Sequence, residues 1–481
     1  MSTPPTYEEL AALVVAQRDE IVLLKARLAA AEATIVELRA QLNRNSQNSS
    51  KPPSSDLPGS PPPTKRRRGK KRRRGGQPGH ERNLSAPPDH IDAVKQYRSS
   101  NCDHCGADLA VGKPTGSVMN HYVYELPEIR PIVTDHQCLD VECPKCGRVT
   151  PGRLPSSVPT GDYDPSVQAM TAFVRGELRQ SVRQTSAVMT NLLHVPMSTG
   201  MVAKTQAQVS QVLAAPHQEA VEYAHAHERP HADETSWRED KKKAWLWVTV
   251  CGLVTVFLVR ASRGADAAKE LIGAAFRGVL TTDRWASYGW VSAKMRQLCW
   301  SHLKRDFKSF LDYGREAKII GEKLLCEVRR MFRAWRKVRD GTITRAEFQL
   351  AMKPVRRRIL ALLEEGGGLP CPNVSGMCRQ ILKLQDALFT FVDVEGVEPT
   401  NNVAERALRF AVLWRKGCFG SDSSKGSRFV ERFLTVRATL RAQKRDLYTY
   451  LKDACTAALH GEPAPSLLPA VPNAAVFGAA A

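Results

Sequence analysis

The sequence is short of acid. Asp and Glu number 49 against 70 Lys and Arg, which leaves a formal net charge of +21 over 481 residues. Surplus of one sign on that scale points to a polyanionic partner, either nucleic acid or an anionic membrane surface, more than to a merely solubilising surface. Long apolar runs are also missing. The longest, Ala244 to Val259, falls short of a membrane span and carries Gly252 near its middle, so no membrane partner is expected. Its Val, Thr and Trp content suits a pair of strands instead. The opening Met1-Ser-Thr-Pro-Pro-Thr-Tyr-Glu-Glu is acidic and polar where a secretory signal is basic and then apolar. Twelve cysteines without such a signal argue for a reducing cytosol, and for metal binding over disulfides wherever they cluster. Neither a Ser-His-Asp pattern nor a Gly-x-x-x-x-Gly-Lys loop is apparent, so no ATP requirement follows.

What is present divides into modules, as a chain of this length requires. Residues 1–43 read as a coiled-coil helix. Its seam of Leu10, Val14, Gln17, Ile21, Leu24, Leu28, Ala31, Ile35, Leu38 and Leu42 steps by three and four for over four heptads. Self-association through this helix is the expected consequence. Residues 44–98 read as a disordered basic linker. They contain Lys65, Arg66, Arg67, Arg68, Lys70, Lys71, Arg72, Arg73 and Arg74, nine positive charges without which the remainder still carries +12. Arginines beside Gly and Pro in a flexible tract can follow phosphates or enter a narrow minor groove.

Residues 99–152 hold Cys102-Asp-His-Cys105 and Cys143-Pro-Lys-Cys146, each followed by Gly. Tetrahedral Zn²⁺ needs four soft ligands and each pair supplies two, so Cys102, Cys105, Cys143 and Cys146 are expected to hold one structural Zn²⁺. Cys138 and His121 are possible substitutes, and Val118 to Cys138 reads as strand-like. Residues 153–225 read as a helical, helix-turn-helix-like DNA-binding domain, with Ser198 capping its second helix.

The segment from 226 carries the chemistry. Candidate strands at His231–Trp237, Lys243–Val250 and Val254–Arg260 precede a helix from about Asp266 to Phe276 that stops at Gly278. A short buried strand, Val279 to Asp283, follows. The first strand is the weakest of these assignments. If the first and fourth strands are neighbours, Asp233 and Asp283 converge. Two hard divalent cations clamping a phosphodiester need carboxylates that face each other on rigid elements. The best later acid is Glu405. On a helical wheel it shares a side with Asn402, Arg406, Arg409 and Lys416, opposite Val403, Ala407, Phe410, Ala411 and Trp414. Each acid has a plainer alternative. Glu234 competes with Asp233, Asp283 suits a helix cap, and Glu405 three residues after Asn402 fits a capping box.

Several segments together resemble the insertion-sequence-66 family of bacterial transposases. They are Leu42-Asn-Arg-Asn-Ser-Gln-Asn-Ser-Ser-Lys-Pro-Pro-Ser-Ser-Asp56, Gly75-Gly-Gln-Pro-Gly-His80, the cysteine pairs, Asp233-Glu-Thr and Thr282-Asp-Arg-Trp-Ala-Ser-Tyr288. Cys299-Trp-Ser-His302, Asn401-Asn-Val-Ala-Glu-Arg-Ala-Leu-Arg409 and Arg415-Lys-Gly-Cys-Phe-Gly-Ser421 complete the set. Ser301 departs mildly from the family's usual alanine.

The resemblance implies a multidomain α+β protein. An RNase H-like α/β catalytic core would occupy 226–307, a helical insertion 308–397, and the last core helix 398–425, followed by a C-terminal helical region at 426–460 and a disordered tail at 461–481. It implies Asp233, Asp283 and Glu405 as ligands for two Mg²⁺ (or Mn²⁺) ions, and His302 near the scissile strand. Asn402, Arg406 and Arg409 would contact DNA. The implied activity is a DDE-type transposase, cutting element ends and joining them to target DNA in a bacterial, nucleoid-associated cytoplasmic setting, with small accessory proteins of the same element as further partners. A non-enzymatic zinc and helix-turn-helix regulator, or a metal-dependent nuclease without joining, are the rival readings.

Overall fold

A computed structural model describes residues 6–44, 48 and 87–469, so the basic run at 65–74 and the last residues of the tail lie outside the described residues. The chain forms two compact units, one of residues 61–132 and one of residues 1–60 with 133–481. In the smaller unit the first cysteine pair makes a tight knuckle. Cys102 N–H donates to Ala107 O, and Gly106 N–H donates back to Cys102 O, both at 2.8 Å. Gly106 takes φ +72°, which the absence of a Cβ makes cheap. The stretch 118–138, read as strand-like, forms no strand. Its Val, Ile and Tyr side chains are largely exposed and no ladder partner exists among the described residues, so β propensity alone does not order it.

The larger unit opens with α1 (Tyr7–Leu42), a single 36-residue helix. Its seam residues Leu10, Val14, Ile21, Leu24, Leu28, Ile35, Leu38 and Leu42 are all exposed. A two-stranded hairpin, β1 (Val141–Glu142) and β2 (Val149–Thr150), carries the second cysteine pair at its tip. Four helices follow: α2 (Pro165–Gly176), α3 (Val182–Ala187), α4 (Thr199–Val212) and α5 (Ala214–Ala226). Ser181 and Gln184 form a capping box at α3, and Ser198 accepts the Met201 N–H at the start of α4, as its position in the sequence predicts. Directly after α3 the chain turns π-helical at Val188–Leu192.

A five-stranded mixed sheet forms the centre. Its strands are β3 (His231–Glu239), β4 (Lys242–Cys251), β5 (Val254–Arg260), β6 (Leu280–Thr282) and β7 (Arg296–Leu298), in the order β5-β4-β3-β6-β7. The first three are antiparallel neighbours, while β6 runs parallel to both β3 and β7. Between β5 and β6, α6 (Ala265–Ile272) ends sooner than the sequence predicts. Gly273 takes φ +92° there, a left-handed conformation that ends a helix, so Gly278 plays no part in stopping it.

From β7 the chain enters α7 (Trp300–Ser309), and α8 (Arg315–Arg339), α9 (Arg345–Gly367), α10 (Pro372–Leu382) and α11 (Thr390–Asp393) then fill the stretch expected to be helical at 308–397. These helices enclose a core of their own around Phe307, Phe310, Phe348, Phe389 and Phe391. The chain then returns to the sheet through α12 (Asn402–Cys418), α13 (Ser424–Ala442) and α14 (Leu447–Leu459). An edge strand leaves a row of unpaired N–H groups, and α13 covers that of β5. Thr439, Thr435 and Glu431, four residues apart on one helix face, accept the N–H groups of Thr255, Phe257 and Val259.

Candidate acidic site and metal-binding groups

Register brings the first two acids together. His231 of β3 pairs with Thr281 of β6 in the parallel sense, so Asp233 and Asp283 each lie two residues further along and point to the same side of the sheet. Asp283 stands just beyond the end of β6, not within it. Asp233 is held protonated well above the usual carboxyl range, first by burial and then by the charges of Glu234 and Asp283. Two acids gathered in a dry corner make a site that a cation would relieve.

Glu234 is differently occupied. One oxygen accepts two hydrogen bonds from Arg263, at 2.9 and 2.7 Å, and the other accepts Tyr288 Oη–H at 2.7 Å. The Arg263 guanidinium lies over Trp285, 3.6 Å from the ring centroid, and also faces Trp245 at 4.6 Å. Glu234 thus anchors a packed polar cluster, while Asp233 accepts only its neighbour's backbone N–H at 2.9 Å. Asp283 retains part of the local role that its sequence context allows, since one carboxylate oxygen accepts Trp285 N–H at 2.8 Å.

Glu405 rides on α12, which packs across β3 and β4. The capping-box alternative does not form. The cap residue is Asn401, it makes no side-chain cap bond, and Glu405 lies one position beyond where a capping box needs it. Fully buried Asn401 instead donates from Nδ2 to Ala232 O at 2.7 Å, its Oδ1 faces His231 Nδ1 at 3.3 Å, and its backbone N–H donates to Cys299 Sγ at 3.1 Å. Asn401 therefore fixes the start of α12 against β3 by its side chain and against the start of α7 by its backbone N–H. Arg406, Arg409 and Lys416 are exposed as the wheel predicts, but the buried stripe is Ala404, Leu408, Ala411 and Trp414. The Asn402 amide oxygen accepts from Ser301 Oγ at 3.1 Å.

The three acids do not close into one tight group. The described residues whose ligand atoms all lie within 4.8 Å of one another are Cys299, His302 and Glu405. His302 Nδ1 sits 3.5 Å from Glu405 Oε1, and Arg305 Nη2 lies 3.8 Å from Oε2. Both His302 Nδ1 and Glu405 Oε1 are buried without a hydrogen-bond partner. Burial opposes charge on His302, but Cys299, Glu405 and Asp283 outweigh it and push its pKa up to about 9. Sequence reasoning placed His302 beside DNA and gave Cys299 no role. The Cys-x-x-His spacing across a helix start was the available signal, since residues three apart share a face.

The cysteine pairs fit a metal in donor chemistry. The Cys102 thiol is lowered below its ordinary value by the backbone N–H groups of Cys105 and His104, and Cys143 by those of Lys145 and Cys146. N–H groups turned on sulfur favour the thiolate that Zn²⁺ binds.

A five-stranded mixed sheet flanked by helices, with Asp233 on β3 beside Asp283 just past β6 and Glu405 on α12, defines an α+β protein with a cluster of acids at the sheet. The chain belongs to the IS66 transposase family, whose pattern matches residues 161–428, more than half its length. Residues 2–86 match a family of unknown function, DUF6444. The uncharacterized protein y4qI of Sinorhizobium fredii (strain NBRC 101917 / NGR234) is 27% identical over 253 residues, 46% of this chain and 45% of that protein, so the chain spans less than half of that relative. No helix among the described residues is long and apolar enough to cross a membrane.

Proposed function

We propose that the chain is a DDE-type DNA transposase. Its sheet is read as an RNase H-like core, its catalytic acids as Asp233, Asp283 and Glu405, and α8 to α11 as an insertion before the last acid. The observation that carries this reading is the parallel register of β3 and β6, which sets Asp233, near the start of β3, beside Asp283, just past the end of β6. Two Mg²⁺ or Mn²⁺ ions, when bound, would supply activation of the attacking water or 3′-hydroxyl and stabilisation of the leaving oxygen. The chain's own part is positioning. Asp233 on β3 and Asp283 just past β6 supply hard oxygen donors, and Asn401 fixes the start of the helix that carries Glu405. Exposed Arg406 and Arg409 on the same helix face the solvent from which phosphates arrive. Residues 65–74 and the helices α3 and α4 serve DNA contact. The exposed seam of α1 joins copies of the chain, and the Cys102/Cys105 and Cys143/Cys146 knuckles each offer two thiolates to structural Zn²⁺.

The test is cleavage and joining of element-end DNA to a target plasmid with Mg²⁺ or Mn²⁺. Asp283→Asn is expected to abolish both steps while leaving DNA binding intact. Wild-type activity in that variant would reject the triad, and cleavage without joined product would favour a nuclease. Full binding by residues 1–220, with the acids expendable for every activity, would favour a regulator.

A further inference from the structure

The second half of α8 carries charge of one sign. Between Val328 and Arg339 six residues are Arg or Lys and none is Asp or Glu. Two of the six are engaged, Arg330 with buried Glu327 at 2.6 Å and Arg339 with Asp340 at 3.2 Å. Arg329, Arg333, Arg336 and Lys337 are exposed and make no ion pair among the described residues. We propose that these four side chains form a seat for duplex DNA, holding successive phosphates of one strand. The seat rests on the transposase reading for the identity of its polyanion, and it gives the helical stretch before α12 a part in binding.

Orientation is the first support. Leu324, Val328 and Met331 are buried in the helical core, and Trp335 packs on Phe348 and Phe391 with ring centroids 5.8 and 5.5 Å away. At 3.6 residues per turn, Arg329, Arg333 and Arg336 share an arc of about 60° on the opposite side. A helix whose apolar face is already covered cannot lie in a membrane surface, which leaves nucleic acid as the fitting polyanion. Repulsion is the second. Arg329 with Arg333, and Arg333 with Lys337, are like charges four residues apart, an arrangement that weakens a helix until an anion lies against it. The field of a helix C-terminus favours cations only in the last turn, so it does not account for Arg329 or Arg333. Reach is the third. Arg329 to Lys337 spans about 12 Å at 1.5 Å per residue, and a duplex strand places a phosphate about every 3.4 Å along its axis, so the row matches three or four phosphates. Place is the fourth. Burial raises the pKa of Glu398, and the charges of Arg339 and Arg406 oppose it. The end of α8 and the cationic face of α12 therefore flank one acid, and Arg406 follows Glu405 directly. A strand seated on the row is carried toward α12.

The salt dependence of DNA binding by the full-length chain tests this. Affinity for a fluorescein-labelled linear duplex is measured over a salt series, without divalent metal so that no strand is cut. Wild type is compared with a triple variant, Arg329→Gln, Arg333→Gln and Arg336→Gln, and with a control that replaces the exposed cations Arg441, Lys444 and Lys452 by Gln. Residues 65–74 contribute equally to all three proteins and cancel in the difference. Each phosphate contact adds about 0.9 to the slope of log K against log salt, so the triple variant should be shallower by about 2–3 while the control keeps the wild-type slope. Circular dichroism confirms folding. Should the triple variant not fold, Arg333→Gln alone is read, with an expected change of about 0.9. A wild-type slope in the folded variant, or an equal loss in the control, would overturn the proposal. So would a loss confined to duplex RNA or to phosphatidylserine vesicles. The cleavage and joining assay reads the acids separately: an unchanged salt slope beside normal joining removes the row alone, and a shallower slope beside absent cleavage removes the transposase reading alone.

Discussion

Asp233 and Glu234 are adjacent acids on one strand, and the structure gives them opposite physical roles that a single pair of variants separates. The Glu234 side chain is 1% exposed and carries three hydrogen bonds, two from Arg263 and one from Tyr288. Glu234→Ala leaves the guanidinium and the phenol without their partner. Breaking a buried pair from one side costs about 3–5 kcal/mol, on the order of 10 °C in Tm for a domain of this size. Asp233→Asn works in the other direction. Asp233 lies in a buried pocket beside two other carboxyl groups and accepts one backbone N–H, so a neutral amide there relieves repulsion. In the metal-free chain its Tm should hold or rise. Because folding raises the pKa of Asp233, its contribution to stability is present at low pH and is lost as pH climbs through the folded value. Asp233→Asn should therefore also flatten the loss of stability on the way to neutral pH. Calorimetry of both full-length variants, with and without Mg²⁺, measures this. Mg²⁺ should raise the Tm of wild type and of Glu234→Gln but not of Asp233→Asn. If Glu234→Ala is as stable as wild type, or if Asp233→Asn keeps the Mg²⁺ response while Glu234→Gln loses it, the assignment of roles is wrong.

Three further outcomes follow from other parts of the fold. Asn401→Ala removes the bond to Ala232 O and leaves a buried acceptor, costing about 1–3 kcal/mol by denaturant titration, and strand cleavage should fall through displacement of Glu405 while DNA affinity stays near wild type. His217 is buried against Phe257 O with its pKa lowered to about 4, first by desolvation. A base depressed by folding gives its full contribution above the unfolded value near 6.5 and loses it as pH falls toward 4, a drop of about 3 kcal/mol. His217→Gln, which keeps the donor to Phe257 O, should flatten an acid-unfolding series over that window, and an unchanged slope would contradict it. Gly420 sits at φ +124°, where an added Cβ would lie 2.4 Å from Arg238 O. Gly420→Ala should cost about 1–3 kcal/mol and loosen the junction between α12 and β3, read as faster amide exchange at Ser421 N–H, which bonds Arg238 O.

Much of the frame was legible because its signals are local. The apolar runs of β4 and β5, the serine caps of α3 and α4, the heptad seam of α1 and the two Cys-x-x-Cys turns all follow from neighbours within a few residues. The central strand β3 was the weakest reading because Asp233, Glu234, Thr235 and Ser236 are polar. Its burial comes from partners on both edges, with polar groups satisfied by Arg263, Tyr288 and Arg415 from far along the chain. The ends of α6 and the unformed strand at 118–138 were misread for related reasons: one turned on the backbone conformation of a single glycine, the other on a missing ladder partner.

The sequence by itself determined which acids could serve, since carboxylates are visible as residues in place. Tertiary structure alone decided which of them meet. It set Asp233 against Asp283 through a register between strands 50 residues apart, tied Glu234 into an arginine–tyrosine cluster, and turned Glu405 toward Cys299 and His302. Residue type is a property of one position, whereas a ligand shell is a property of distances between positions that only the closed fold defines.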